Sequence, residues 1–174
     1  MTETIEEATA RAAGILVKND YLVLSTVDES GPWAAVVAYA VAAPGFLYFV
    51  SRRNSRHADA VDRDPRIAGV VYDPATSPDD SDSFQFSGTC AEVSDESLVR
   101  LFLERTEHLT EDSVDEELAA FREDEDLRLY RIAVHRGYVL DQEKWIEHGV
   151  DARKEVLVEG TFARAEAASP VRSV

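Results

Sequence analysis

Apolar and polar residues alternate along several short segments of this chain, and this period of two predicts β-strands. The first segment, residues 21–27, ends at a cluster of turn-forming residues, 28–32, after which a second segment returns over 33–41. Further segments of the same kind cover residues 46–51, 66–72, 83–93 and 128–140. The first two connections are too short for crossover helices, so we expect a mainly β fold, an antiparallel barrel or sandwich of six strands with attached helices.

Apolar residues at helical spacing predict four helices between or before these strands. We expect them over 4–18, from Asn54 or Ser55 to Asp64, after a Ser94 cap, and around Leu118. The pattern over 141–158 is compatible with either a loop or a last short strand. We therefore predict a single domain over 1–158 and a flexible C-terminal tail over 159–174, where apolar content is low apart from alanine and valine.

The second predicted strand has two unlike faces. One face is bulky and the other is almost all alanine, the latter comprising Ala34, Val36, Ala38, Ala40 and Ala42. Small side chains allow another layer to approach closely. That layer could be a helix, a partner subunit or a flat ring.

Charge and cysteine content narrow the function classes. The chain has 34 acidic and 18 basic residues, a formal charge of −16, which argues against partners such as nucleic acid or anionic membrane surfaces. Only three of the basic residues are lysines, and an acidic, lysine-poor surface suggests a halophilic host. The alternative is a mildly acidic cytosolic protein in low salt, because net charge chiefly reports solubility. Cys90 is the single cysteine, which excludes an intramolecular disulfide, and no apolar run is long enough to span a membrane. We expect a soluble, cytoplasmic protein.

One segment departs from the acidic composition. Residues 49–58 contain Arg52, Arg53 and Arg56 but no Asp or Glu, and they join an apolar strand to a predicted helix. Arginine forks, a serine hydroxyl and free N–H groups at a helix start together favour a phosphate. The alternative is a solvated loop whose arginines pair with the abundant carboxylates of this chain.

Several common motifs are absent from the sequence. It contains no glycine-rich dinucleotide fingerprint, no phosphate-binding P-loop, no nucleophile elbow and no His-Glu-x-x-His zinc motif. Four histidines are scattered along the chain, at His57, His108, His135 and His148, and we expect no metal site from them.

The order of several motifs carries a resemblance to a known family. The run Tyr21-Leu-Val-Leu-Ser-Thr-Val-Asp-Glu-Ser-Gly-Pro is followed by Leu47-Tyr-Phe-Val-Ser, Ser55-Arg-His-Ala, Asp64-Pro-Arg and Phe84-Gln-Phe-Ser-Gly-Thr. In this order they resemble the pyridoxamine 5'-phosphate oxidase-like family of FMN-binding split barrels, over most of the chain to about Leu140.

The resemblance implies a six-stranded split barrel that forms a homodimer, with FMN in the groove between the subunits. Ser55, Arg56 and His57 would then hold the FMN phosphate, with help from Arg52 or Arg53. The other residues that it implies near the flavin are Ala34, Ala35, Val36, Val37, Ser51, Gln85 and Trp145.

The chain departs from the family where a lysine often follows the arginine, since His57 stands there. Its second strand has no basic residue, and the substrate-phosphate motif of the C-terminal part is not recognisable, so pyridoxine phosphate is not the expected substrate. We predict an FMN-dependent oxidoreductase acting on an unidentified small molecule, in which no catalytic side chain is assigned. The alternatives are a deazaflavin- or haem-binding relative, or a flavin-binding module without turnover.

Overall fold

All strand pairs are antiparallel in the computed structural model of the protein, which describes residues 2–77, 82–105 and 111–169, without the side chains of 111 and 112. The strands are β1 (Tyr21–Asp28), β2 (Gly31–Ala38), β3 (Ala40–Ala42), β4 (Phe46–Arg52), β5 (Arg66–Tyr72), β6 (Ser83–Val93), β7 (Leu127–Leu140) and β8 (Arg153–Val156). The helices are α1 (Ile5–Lys18), α2 (Arg56–Arg63), α3 (Glu96–Glu104), α4 (Glu111–Glu123), α5 (Gln142–His148) and α6 (Val158–Ala168).

The strand order shows why the sheet curls. Hydrogen-bonded neighbours run β2-β1-β5-β6-β7-β4-β3, with β8 beside the second half of β7. The two edge strands, β2 and β3, are consecutive in the chain and only Tyr39 separates them. The two edges of the sheet must therefore meet at Tyr39, which makes the sheet a split barrel. The predicted fold class is confirmed.

Tyr39 divides the predicted second strand into two. Its N–H donates to the Asp20 carbonyl at 3.0 Å and its hydroxyl donates to the Leu16 carbonyl at 2.9 Å. These bonds hold Tyr39 against the end of α1, so the chain stops pairing with β1 and continues beside β4 as β3. The other five predicted strands are present, and β8 is the short strand left open near Val156.

The helices close the two cores of the sheet. Thr4 and Glu7 form a reciprocal capping box at the start of α1, and α1 packs with α6 over the larger core. The buried face of α6 contains Phe162, which is 0% exposed. Residues 158–168 are thus a packed helix where a flexible tail was expected, since the small residues Thr161 and Ala165 let α6 lie flat on the core. Residues 170–174 of the expected tail lie outside the described residues.

Helices α3 and α4 cover a second, smaller core on β3, β4 and β7. It buries Ala40 and Ala42, so over this part of the alanine-rich segment the close layer is helical. The cap of α3 is Asp95, whose Oδ1 accepts the Ser97 N–H at 2.9 Å, and not the expected Ser94, because Asp95 lies one residue nearer the first helical turn. No helix of the described residues is long and apolar enough to cross a membrane.

Candidate functional site

The segment with the three arginines joins β4 to α2. Ser55 has an extended backbone and is the N-cap of α2, with its Oγ accepting the Ala58 N–H at 3.4 Å. Arg56 and His57 are the first two residues of this helix, so their N–H groups have no intrahelical carbonyl to bond. The helix ends before Pro65, as expected from the restriction that proline imposes on its predecessor. The predicted helix start is therefore in place, with backbone donors directed outward.

Three polar side chains converge at this helix start. Ser51 Oγ lies 2.7 Å from His57 Nε2 and 3.2 Å from Ser55 Oγ, and Ser55 Oγ lies 3.2 Å from His57 Nε2. We call these three residues the hydroxyl–imidazole cluster. Ser51 comes from the end of β4, Ser55 is the N-cap of α2 and His57 lies in its first turn, so the cluster depends on the β4–α2 turn. Hydroxyl hydrogens and an imidazole N–H are donors that suit an anionic oxygen.

His57 is partly enclosed. Its ring lies 6.2 Å from that of Phe49, which is fully buried. Burial lowers the pKa of His57 below its ordinary value, because desolvation disfavours the charged imidazolium. The neutral ring is therefore the prevailing form at neutral pH, and one of its two nitrogens carries a hydrogen.

This lowered pKa predicts a pH effect on stability. In the unfolded chain His57 titrates near 6.5 and in the folded protein it titrates lower, so the unfolded state binds more protons below that pH. His57 therefore contributes stability above about pH 6.5, and this contribution is lost as the pH falls towards the folded pKa. Urea unfolding of wild type and His57→Gln at pH 7.5 and 5.5 measures it. We expect a smaller loss for the variant, and an equal loss would contradict the assignment.

The arginines next to the cluster meet carboxylates from distant parts of the chain. Arg56 Nε donates to Asp28 Oδ2 at 2.6 Å, and its Nη2 donates to Asp28 Oδ1 at 3.0 Å. The Arg56 guanidinium also lies 4.3 Å from the ring centroid of Trp33. Arg56 donates to Asp28, and this contact holds the pKa of that carboxyl below its usual range. The segment has no acid in sequence, but in space it is partly neutralised.

Arg52 and Arg53 are more loosely held. Arg52 Nη2 lies 3.4 Å from Asp124 Oδ2, and more than half of the Arg52 side chain is exposed. The backbone N–H of Arg53 donates to the Asp126 carbonyl at 2.7 Å. Among the described residues, no carboxylate forms an ion pair with the Arg53 guanidinium, so its charge is available to a ligand.

The strand segment Ala34–Val37 presents both faces near this site. Ala35 and Val37 pair with the buried Leu24 and Leu22 and thus face the barrel interior, where Cα atoms of β2 and β4 come within 8 Å. Ala34 and Val36 face outward, and Val36 is 68% exposed. In the described chain nothing covers these outward positions.

Gln85 and Trp145 lie away from the hydroxyl–imidazole cluster. Gln85 faces outward in the same sheet row as Val36, three strands away, which is roughly 14 Å at the usual strand spacing. Its Oε1 accepts the Arg153 Nε at 3.0 Å. Trp145 is on α5 and 47% exposed. Along β7, Ser51 pairs with Arg128 near one end and Gln85 pairs with Tyr138 near the other, and α5 with Trp145 follows that second end. One chain therefore brings together Ser51, Ser55 and His57 but does not bring Gln85 or Trp145 to them.

The described histidines do not form a metal site. Within residues 2–77, 82–105 and 111–169 no three His, Cys, Asp or Glu side chains are arranged to hold a metal ion. His135 and His148 are exposed, whereas His108 lies outside the described residues. Cys90 is buried, and desolvation raises the pKa of its thiol to about 12, which keeps it protonated and unreactive.

Two residues of the site were missed from the sequence. Asp28 and Trp33 contact Arg56 although they precede it by more than twenty residues. Their only sequence signal was the position at either end of the β1–β2 turn. That turn could be predicted, but its contact with α2 could not.

A profile of the pyridoxamine 5'-phosphate oxidase family matches residues 8–141, which include the β4–α2 segment and every strand from β1 to β7. The chain belongs to this family. A search of curated proteins finds no match. The predicted family is thus confirmed over more than half of the chain.

Solved structures share the fold at low sequence identity. A conserved hypothetical protein of Mycobacterium tuberculosis superposes with a TM-score of 0.62 at 21% identity, over 74% of this chain and 81% of that chain. A candidate pyridoxamine 5'-phosphate oxidase of Listeria innocua gives 0.56 at 18% identity, over 76% and 98%. The haem storage protein HutZ of Vibrio cholerae gives 0.58 at 16% identity, over 74% and 90%.

Proposed function

We propose that this protein binds FMN and is an FMN-dependent oxidoreductase. The observation that carries the proposal is the hydroxyl–imidazole cluster of Ser51, Ser55 and His57 at the start of α2. Two free backbone N–H groups and the positive end of the helix dipole add to it, and together they match the needs of a phosphate monoester. The resemblance to the family implies FMN as the cofactor. We therefore propose that the phosphate at this site is that of FMN.

In this proposal the chain holds the two ends of FMN by different means. Ser55, Arg56 and His57 bind the phosphate, and Arg52 or Arg53 adds charge from the exposed side. The ring borders the Ala34–Val37 strand, where small side chains and backbone groups leave room for it, and Ser51 lies beside it. When bound, FMN supplies the hydride chemistry, and the residues of the chain bind and orient it.

A second copy of the chain would complete this site. Gln85 and Trp145 lie towards the opposite end of β7 from the cluster of their own chain, so we propose that they act across a homodimer. Large exposed side chains on the outward face of β1, β2 and β5 support the dimer. They are Tyr21, Val27, Val36 and Tyr72, from 46% to 68% exposed.

The dimer predicts the effect of a charge on this face. Val36→Glu should weaken dimerisation by about 2 kcal/mol, roughly thirty-fold, because an unpaired carboxylate would be buried in both copies of a symmetric interface. Ala119→Glu on the exposed side of α4 adds the same charge elsewhere and should leave the dimer intact. Sedimentation at 0.15 M salt over a range of concentrations measures both. Equal behaviour of the two variants would exclude this face.

The flavin is tested directly with the purified protein. FMN, riboflavin, a deazaflavin and haem are each added to the apoprotein, and visible spectra and melting temperatures are recorded. FMN should give a bound-flavin spectrum and the largest stabilisation, since a ligand at 100 times its Kd adds about 2.7 kcal/mol. Riboflavin has the ring without the phosphate and should bind much more weakly. No spectral change and no stabilisation by FMN would refute the proposal.

Haem is the second candidate, because structures with this fold include a haem storage protein and a haem-binding protein of Mycobacterium smegmatis. The latter gives a TM-score of 0.61 at 17% identity, over 94% of this chain and 62% of that chain. Haem binding would require an axial ligand, and His57 is the only half-buried histidine in the described part of the chain. A Soret shift on adding haem, abolished in His57→Gln, would favour it over FMN.

Turnover is tested separately from binding. If bound FMN is reduced by NADH or NADPH, the protein acts as an oxidoreductase in the proposed sense. Bound FMN that neither donor reduces would favour a flavin-binding module without turnover.

The lone Cys90 supports a cytoplasmic location as part of this proposal, and the charge of −16 supports a high-salt host.

A further inference from the structure

Two contacts fix the guanidinium of Arg56, one along an edge and one against a face. Its Nε and Nη2 donate to the two oxygens of Asp28, and the Trp33 ring covers one face of the guanidinium. Asp28 is itself held, because its Oδ1 also accepts the Ser30 N–H at 2.7 Å within the β1–β2 turn. The position of Arg56 is therefore set by the hairpin and not by α2 alone.

One edge of the guanidinium is left over. A guanidinium can form two parallel hydrogen bonds either through Nε and one Nη or through both Nη atoms. Asp28 occupies the first of these edges, and among the described residues no acceptor bonds to Nη1. The Arg56 side chain is 37% exposed, so the second edge is accessible from solvent. This edge has the geometry for two oxygens of a phosphate.

We propose that Asp28 and Trp33 are positioning residues, which hold Arg56 so that its free edge selects ligands bearing a phosphate. The inference rests on the proposed function and extends it, since it explains how FMN is preferred over riboflavin. Arg66 provides the contrast. It also pairs with a carboxylate, Asp64, but its side chain is 84% exposed and no described ring stacks on it.

Asp28 also repels a phosphate, and this opposes its positioning effect. The repulsion acts through solvent and is screened, with a Debye length of roughly 4 Å at 0.5 M salt. The hydrogen bonds from Arg56 to Asp28, at 2.6 and 3.0 Å, are shorter than this length and are screened less. Measurements at 0.5 M KCl therefore reduce the repulsion more than the positioning effect. Trp33 carries no charge, so its effect needs no such correction.

The experiment compares FMN with riboflavin in four proteins at 0.5 M KCl: wild type, Asp28→Ala, Trp33→Leu and the control Asp64→Ala. Dissociation constants come from quenching of flavin fluorescence. We expect the preference for FMN to fall about tenfold in Asp28→Ala and in Trp33→Leu, with riboflavin binding unchanged. Asp64→Ala should keep the wild-type preference. General damage to the fold would weaken both flavins together and leave their ratio unchanged.

A second variant and a second probe keep the outcomes separate. Asp28→Asn retains an acceptor for the Ser30 N–H and should show an intermediate preference for FMN over riboflavin. This variant guards against misfolding of the turn in Asp28→Ala.

Inorganic phosphate tests the free edge without a flavin. It should raise the melting temperature of wild type, and by less in Trp33→Leu. If phosphate acts in this way but FMN does not bind, the flavin proposal alone fails. An unchanged preference for FMN in the Asp28 and Trp33 variants overturns the positioning role, as does a wild type that neither phosphate nor FMN stabilises.

Discussion

Replacing Arg56 with alanine is expected to weaken FMN binding about 100-fold while the apoprotein stays folded. Hydrogen bonds to a charged partner are each worth about 1.5–3 kcal/mol, and the variant loses the charge together with the donors of the free edge. The fold should tolerate the change because the Asp28 and Arg56 side chains form a partly exposed ion pair, and such pairs add little stability. Flavin fluorescence gives the affinity, and urea unfolding of the apoprotein gives the stability.

Arg66→Ala is the matched control for this prediction. It removes an arginine that also forms a forked pair with an aspartate, at the start of β5 and outside the proposed site. Its FMN affinity should equal that of wild type. Wild-type affinity in Arg56→Ala would contradict the phosphate assignment, whereas equal losses in both variants would point to the net charge of the protein and not to Arg56.

Elements defined by local pattern could be predicted from the sequence. The period of two in β5 and β6 and the turn residues between β1 and β2 depend on neighbours in the chain, so these elements were found close to their true bounds. Tyr39 was different. Its break in the second strand comes from bonds to Asp20, in the turn before β1, and to Leu16, in the last turn of α1. The alternating pattern continues through the break, so only the tertiary structure reveals it.

The C-terminal helix α6 was also not predicted, because the sequence signals for it are weak. Its alanines and glutamates give a weak apolar stripe, and Leu157 at its cap makes no side-chain bond to the helix. Phe162 is the largest fully buried side chain of α6, and its ring and that of Phe84 pack edge to face with centroids 6.4 Å apart. Helical stability here comes from packing on α1 and not from the signals that a sequence displays.

The helix start at the site could be predicted from the sequence. The ion pairs formed by its arginines could not. Ser55 and His57 are two residues apart, so their convergence follows from the cap geometry. The carboxylates that neutralise Arg56 and Arg52 come from β1 and from the residues before β7. An acid-free segment in sequence is therefore not an acid-free site. Among the described residues, the free edge of Arg56 and the guanidinium of Arg53 have no carboxylate partner and remain for a ligand.

Gly88→Ala is the second change with a large expected effect, a loss of at least about 3 kcal/mol of unfolding free energy. Gly88 is buried in β6 beside an irregularity in the pairing with β7. A Cβ at this position would lie 2.0 Å from the carbonyl oxygen of Ala133 and 3.0 Å from its carbonyl carbon. These are backbone atoms of the central strand β7, so relief requires the two strands to separate and their hydrogen bonds to lengthen.

Gly14→Ala in α1 is the control, because a Cβ there would meet no atom within 4 Å. It should raise stability by about 0.5–1 kcal/mol, since alanine loses less conformational freedom in a helix than glycine. Urea unfolding of both variants gives the comparison. Near-wild-type stability in Gly88→Ala would mean that β6 and β7 can move apart here. Strand β7 pairs with Ser51 near one end and with Gln85 near the other. Movement of β6 away from β7 would therefore also disturb the positions of these two proposed FMN-binding residues.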